Sequence, residues 1–164
     1  MTDVAAHELS MHLMREREML ELLLFKLDVQ QMLLATGRTR WIPQTANEIE
    51  RVIAAMPALS LTRDTLVVSV GVEWGVPEAA TLRELIDAAP SDAWREVMNG
   101  HLTAMIALAD EIGELKKLNE QRLRTAVRVT QETIAGLGAA TGEYDQSGDV
   151  VRGGGESVLL DTRV

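Results

Sequence analysis

Residues 9–34 read LSMHLMREREMLELLLFKLDVQQMLL, and their spacing decides the fold. Leu9, Leu13, Glu16, Leu20, Leu23, Leu27, Gln30 and Leu34 recur at alternating four- and three-residue steps. That rhythm places one residue per turn on a single helical face and makes a heptad seam. The helix is expected from about Ala5 to Thr36, with Gly37 just past its end, where a left-handed residue stops a helix. Leu22, Leu24 and Phe25 lie beside the seam, so this helix wants more than one neighbour.

Working outward, the turn Gly37-Arg38-Thr39-Arg40 leads to Trp41, and a second helix begins near Pro43, a residue suited to a first turn. Ile49, Val52, Ile53 and Met56 line one face. Pro57 lacks an amide N–H and is expected to kink or break the helix. Residues 66–72 (Leu-Val-Val-Ser-Val-Gly-Val) are β-branched enough to suggest a strand, but no second run could pair with them, so helix is favoured. Gly75-Val76-Pro77 closes that helix. Thr81-Leu82-Arg83-Glu84 is a capping box opening a short helix to about Ala89. Ser91 or Asp92 caps a third long helix, whose seam is Trp94, Met98, His101, Met105, Leu108, Ile112 and Leu115. Apolar residues continue through Leu118, Leu123, Val127, Ile134 and Leu137. The expected fold is all-α: an elongated antiparallel bundle or coiled coil of three main helices plus one short helix. Residues 1–138 form the helical domain, and 139–164 a flexible, Gly-rich acidic tail with a disordered composition.

Composition agrees. The chain has 164 residues, 46% of them apolar, with 3% aromatics, no cysteine and a formal charge of −9. Disulfides and thiolate metal sites are excluded. No basic stripe is present for a phosphate backbone, so nucleic acid is not an expected partner. The N-terminus lacks a basic region followed by an apolar one. Met19–Leu27, the densest apolar stretch, is too short to span a bilayer. A cytoplasmic protein without membrane insertion is expected. The methionines at helical spacing are read mainly as core filler.

Catalytic motifs are missing. His7 and His12 stand five residues apart rather than the four of a helical zinc pair, so both are read as surface histidines. Neither they nor His101 is preceded at three residues by Glu, as a di-iron site requires. His101 lies on a seam, where a hydrogen-bonded histidine is expected. No nucleophile elbow or phosphate loop occurs, and Gly153-Gly154-Gly155 lacks the following Lys of a phosphate cradle. Neither enzymatic activity nor a cofactor is expected.

Length raises one question. At about 1.5 Å per residue the first helix is about 45 Å long and the third about 70 Å. In an up-down-up arrangement the third helix overshoots the Gly37 turn by roughly 20 to 25 Å, leaving its apolar residues short of cover. Apolar surface rimmed by charge marks a partner site.

The order of elements carries a resemblance. Arg15-Glu16-Arg17-Glu18-Met19-Leu20-Glu21-Leu22-Leu23-Leu24-Phe25-Lys26-Leu27 is followed by Leu33-Leu34-Ala35-Thr36-Gly37-Arg38-Thr39-Arg40-Trp41. Thr81-Leu82-Arg83-Glu84-Leu85, a long helix and Glu143-Tyr144-Asp145-Gln146-Ser147-Gly148 complete the series. Over about residues 8 to 148 the chain resembles the FlgN family of flagellar export chaperones, in the form found in high-GC Gram-positive bacteria. The resemblance implies a cytoplasmic helical chaperone without ATPase activity. It would bind the C-terminal segments of the hook–filament junction proteins FlgK and FlgL, prevent their premature association, and deliver them to a flagellar export gate component. It also implies a cargo face on the last helix, at Ile112, Leu115, Leu118, Leu123, Val127, Ile134 and Leu137, and an export-gate role for Tyr144. Pro57 and the valines after it depart from the family's long second helix, and the extension after Gly148 lies outside the likeness. The alternative is a coiled-coil adaptor or homodimeric structural protein; a chaperone could also form a weak homodimer.

Overall fold

A computed structural model describes residues 3–77 and 81–141. Its elements are α1 (Val4–Ala35), a single 3-10 turn (Thr39–Trp41), α2 (Ile42–Glu73), α3 (Leu82–Asp87) and α4 (Asp92–Thr141). Among the described residues there is no strand, and 66–72 are helical. The expected class, three long helices and one short one, is the observed class. Contacts divide the chain into Met1–Leu123 and Arg124–Val164.

Within the first unit the packing pairs fix the directions. Leu9 and Leu13 share a core with Val67 and Val70, while Leu23 and Leu27 share one with Ile49 and Val52, so α1 and α2 are antiparallel. Met98 joins the first cluster, and Ile112 and Leu115 pack on the second, so α4 ascends beside α1. The short α3 closes the first core with Leu82, Leu85 and Ile86.

Helix ends follow local chemistry. Gly37 and Gly75 have φ of 68° and 73°, the left-handed conformation that terminates α1 and α2. After Gly75 the Val76 amide donates to the Gly71 carbonyl at 2.7 Å. A Cβ on Gly71 would stand 2.8 Å from the Val76 oxygen, so the turn back over α2 requires glycine there. The Thr81–Glu84 capping box is present in both directions. Ser91 Oγ accepts from the Trp94 amide at 3.2 Å, making Ser91 the cap of α4. At the start of α1 the Ala5 amide donates to a Glu73 carboxylate oxygen at 3.0 Å, so the end of α2 supplies the missing acceptor.

Two expectations are narrowed or corrected. Of the kink or break expected at Pro57, the break does not occur, and α2 is one element from Ile42 to Glu73. Proline removes one ladder bond, but the apolar contacts on both sides of it, Ile49 and Val52 before and Val67 and Val70 after, hold the two halves as one helix. His12 is not a surface residue: it is 5% exposed. Its Nε2 donates to the Leu59 carbonyl at 2.8 Å. His7 is exposed, as expected.

His12 belongs to a polar layer between the two apolar clusters. Buried Glu16 accepts from Arg63 Nη1 at 3.2 Å on each oxygen, and Arg63 Nη2 donates to Ser60 Oγ at 2.9 Å. Burial raises the Glu16 pKa, against the attraction of Arg63 and His12. On the α4 side His101 is buried, with Nε2 at 3.1 Å from Ser10 Oγ. Burial, and secondarily Arg17, lowers its pKa.

Among the described residues Thr39–Glu73, rather than Met19–Leu27, is the stretch long and apolar enough by length and composition to cross a membrane. Its inner face carries the Arg63–Glu16 pair and the core valines, as a bundle helix does.

Candidate binding surface

Helix α4 carries the residues expected to bind a partner, and they fall into two groups. Ile112 and Leu115 are half-buried against Leu23, Leu27, Ile49 and Val52, so they belong to the internal core. Just beyond them Asn119, 1% exposed, donates from Nδ2 to the Leu27 carbonyl at 2.9 Å and to Gln30 Oε1 at 3.2 Å. A buried amide bonded to a backbone carbonyl fixes the register of α4 on α1. Leu118 is half-buried and lines a shallow groove of about 520 Å³ with Asp28, Glu111, Leu115 and Lys117.

The second group is open. Val127, Ile134 and Leu137 are 56%, 63% and 63% exposed, while Leu123 is half-buried. Leu123, Val127, Thr130, Ile134 and Leu137 are spaced four, three, four and three, the rhythm of a helix-pairing seam. Thr130 was not anticipated, although the spacing marks it. Its hydroxyl donates to the Ala126 carbonyl at 2.9 Å, leaving its methyl for the seam.

Charge is uneven along this helix. Residues 116–128 hold Lys116, Lys117, Arg122, Arg124 and Arg128 against the single carboxylate of Glu120, in a chain whose net charge is −9. Arg128 pairs loosely with Glu132 at 3.9 Å, both well exposed. Such a pair contributes little to stability. Apolar ridge and cationic flank together suit an amphipathic helix from another chain. Among the described residues no group of His, Asp and Glu is placed to hold a metal. Tyr144, the expected gate-docking residue, lies outside the described residues.

The antiparallel packing of the long helices within the first unit defines a class, the all-α helical-bundle proteins. The family model described as FlgN protein matches residues 1–152, and the chain belongs to the FlgN family. FlgN proteins are flagellar export chaperones that bind hook-associated proteins. No curated protein matches the chain, and no solved structure does. The long second helix, where Pro57 and the valine run departed from the expected pattern, is present after all.

Proposed function

We propose that this chain is a cytoplasmic chaperone for the hook–filament junction proteins FlgK and FlgL, binding their C-terminal helical segments before export. The observation that carries the reading is the exposed stripe of Val127, Ile134 and Leu137 at the end of α4, in a helix whose residues 116–128 are rich in cations. Exposed large apolar residues at seam spacing are costly in water and become favourable when another helix covers them. A junction-protein end masked in this way cannot pair prematurely with its own neighbours. Leu118, Leu123, Val127, Ile134 and Leu137 form the contact, with Ile112 and Leu115 anchoring the helix beneath it. Delivery to the export gate through Tyr144 is the second half of the proposal.

The test replaces Val127 and Ile134 by Asp together. Both are exposed, so the variant is expected to keep its helical circular dichroism and its melting temperature while losing co-purification with the junction protein. A double variant that still captures the cargo at wild-type level refutes the assignment. Tyr144→Ala is expected to leave capture intact and to reduce cargo export; unchanged export removes Tyr144 from the mechanism.

A further inference from the structure

The ridge at the end of α4 has a complement within the chain itself. Val127, Ile134 and Leu137 are exposed, and Arg124 and Arg128 lie within one turn of Val127. Residues 142–164 follow α4 and lie outside the described residues. They hold Glu143, Asp145, Asp149, Glu156 and Asp161 against Arg152 and Arg163. Their longest apolar run, Val158-Leu159-Leu160, is bracketed by Glu156 and Asp161. An apolar patch among cations is therefore followed, on the same chain, by an apolar run between carboxylates.

We propose that residues 156–161 fold back on α4 and cover the ridge around Val127 and Ile134, so that the chain carries its own competitor for any helix that binds there. The order of charges supports this. A segment that turns back after Thr141 runs antiparallel to α4 and passes Glu132, Arg128 and Arg124 in that order, four residues apart each time. Arg152, Glu156 and Asp161 follow one another along it at steps of four and five, so each meets an opposite charge. Arg128 and Glu132 are 3.9 Å apart and both well exposed, a pair weak enough to exchange partners.

Length supports it as well. Val158 stands 17 residues after Thr141, and Val127 stands 14 residues before it. Those 14 residues of helix measure about 21 Å at 1.5 Å per residue. A Gly-rich chain of 17 residues has an r.m.s. end-to-end distance of about 21–25 Å, and glycines at 142, 148, 153, 154 and 155 supply that composition. A linker whose r.m.s. length matches the span gives the highest effective concentration, in the millimolar range. At that concentration a contact too small to join two separate molecules is still populated.

Other occupants fit less well. A second copy would set cation against cation. An anionic lipid surface suits the cations up to Arg128, but from Val129 to Thr141 the helix has Glu132 and no cation, and the chain as a whole carries −9. Nor do other exposed apolar faces select an acidic segment. That of α1 is interrupted by Glu18, Glu21 and Asp28, and that of α2 carries Asp64 as well as Arg51.

The contact rests on the exposed ridge and not on the proposed cargo function. Because the chain has no cysteine, Ser157→Cys in the full chain takes a single nitroxide label. Paramagnetic broadening of the backbone amide signals is expected to peak near Val127 and Ile134. A tethered but undocked segment would give broadening that declines steadily from Thr141 back along α4. Leu159→Ser with Leu160→Ser is expected to convert the first profile into the second, and both positions lie beyond α4, so the helices are retained. Arg128→Glu is expected to lower the peak about 2- to 5-fold, and adding Glu156→Arg to restore it. A wild-type profile that declines steadily, or a peak indifferent to Leu159 and Leu160, overturns the proposal. So does a peak seen only between a labelled chain and a separate isotope-labelled one, which would make the contact one between copies. If the cargo function holds, deleting residues 156–164 also tightens junction-protein capture by about 2- to 10-fold. A peak at Val127 with capture unchanged supports the contact and refutes the cargo face.

Discussion

The decisive single residues are the polar ones set into the seams. Glu16 is buried with Arg63 as its main cationic partner, and Arg63 keeps a 27% exposed side chain. Removing the cation leaves an uncompensated buried carboxylate, which costs more than the intact pair contributes. Arg63→Met is therefore expected to lower stability by about 1–3 kcal/mol at neutral pH, discounted for the partial exposure of the pair. The sign of its pH dependence follows from burial. A carboxyl whose folded pKa is raised favours the fold most when protonated, below its unfolded value of 4.5, and loses that contribution as pH rises through the folded value. The loss in Arg63→Met should shrink on acidification to pH 4, as read by urea unfolding at both pH values; an equal loss would show that the pair is incidental. Glu16→Leu combined with Arg63→Met should recover most of the stability. His101 has the opposite sense. Its folded pKa is depressed by burial, so the unfolded chain takes up a proton that the fold resists. Stability is expected to fall as pH drops through about 6.5 toward the folded value. His101→Gln should flatten that slope, and an unchanged slope would assign it to another group.

At the scale of elements, α2 shows where a local rule yields to packing. Pro57 deprives the Ile53 carbonyl of its helical donor, yet the helix is continuous. Pro57→Ala is expected to stabilise the chain by about 1–3 kcal/mol, because the restored bond and better helix propensity meet an exposed position. Glycines in helices give a paired contrast. Gly113 has open space around its missing Cβ, and Gly113→Ala should stabilise by about 0.5–1 kcal/mol. Gly71→Ala should destabilise despite the same gain in propensity, since its Cβ would collide with the Val76 carbonyl. Thermal melts of the two variants moving in the same direction would contradict this geometry. These particulars show what the sequence could and could not convey. The seam of α1, the Gly37 and Gly75 stops and the capping box at Thr81 depend on neighbours within one or two turns, and all were legible. The continuity of α2 through Pro57 and the burial of His12 depend on residues up to 47 positions away, Leu59 among them for His12, which no local spacing encodes.

At the scale of the whole molecule the uneven charge bears on the cargo contact proposed above. The chain repels acidic proteins at a distance, since it carries −9 overall. Residues 116–128 reverse that sign with five cations against one carboxylate, in the helix that bears the exposed Val127, Ile134 and Leu137. A cargo helix with carboxylates along its flanks would be drawn to this segment and held by apolar contact once there. The two contributions separate experimentally. Exposed charges are screened at physiological ionic strength over about 8 Å, so the electrostatic part weakens with salt and the apolar part does not. Replacing Arg122 and Arg128 by Glu is expected to slow association by about tenfold at low salt and to erase most of the salt dependence, while dissociation changes little. The Val127→Asp and Ile134→Asp pair should do the reverse, speeding dissociation at every ionic strength. Stopped-flow or surface-binding kinetics on both variants against the junction-protein segment would read the two effects side by side. If the charge-reversal variant altered dissociation alone, the cations would be contacts inside the interface rather than a guide toward it, and the ridge would no longer be the centre of binding.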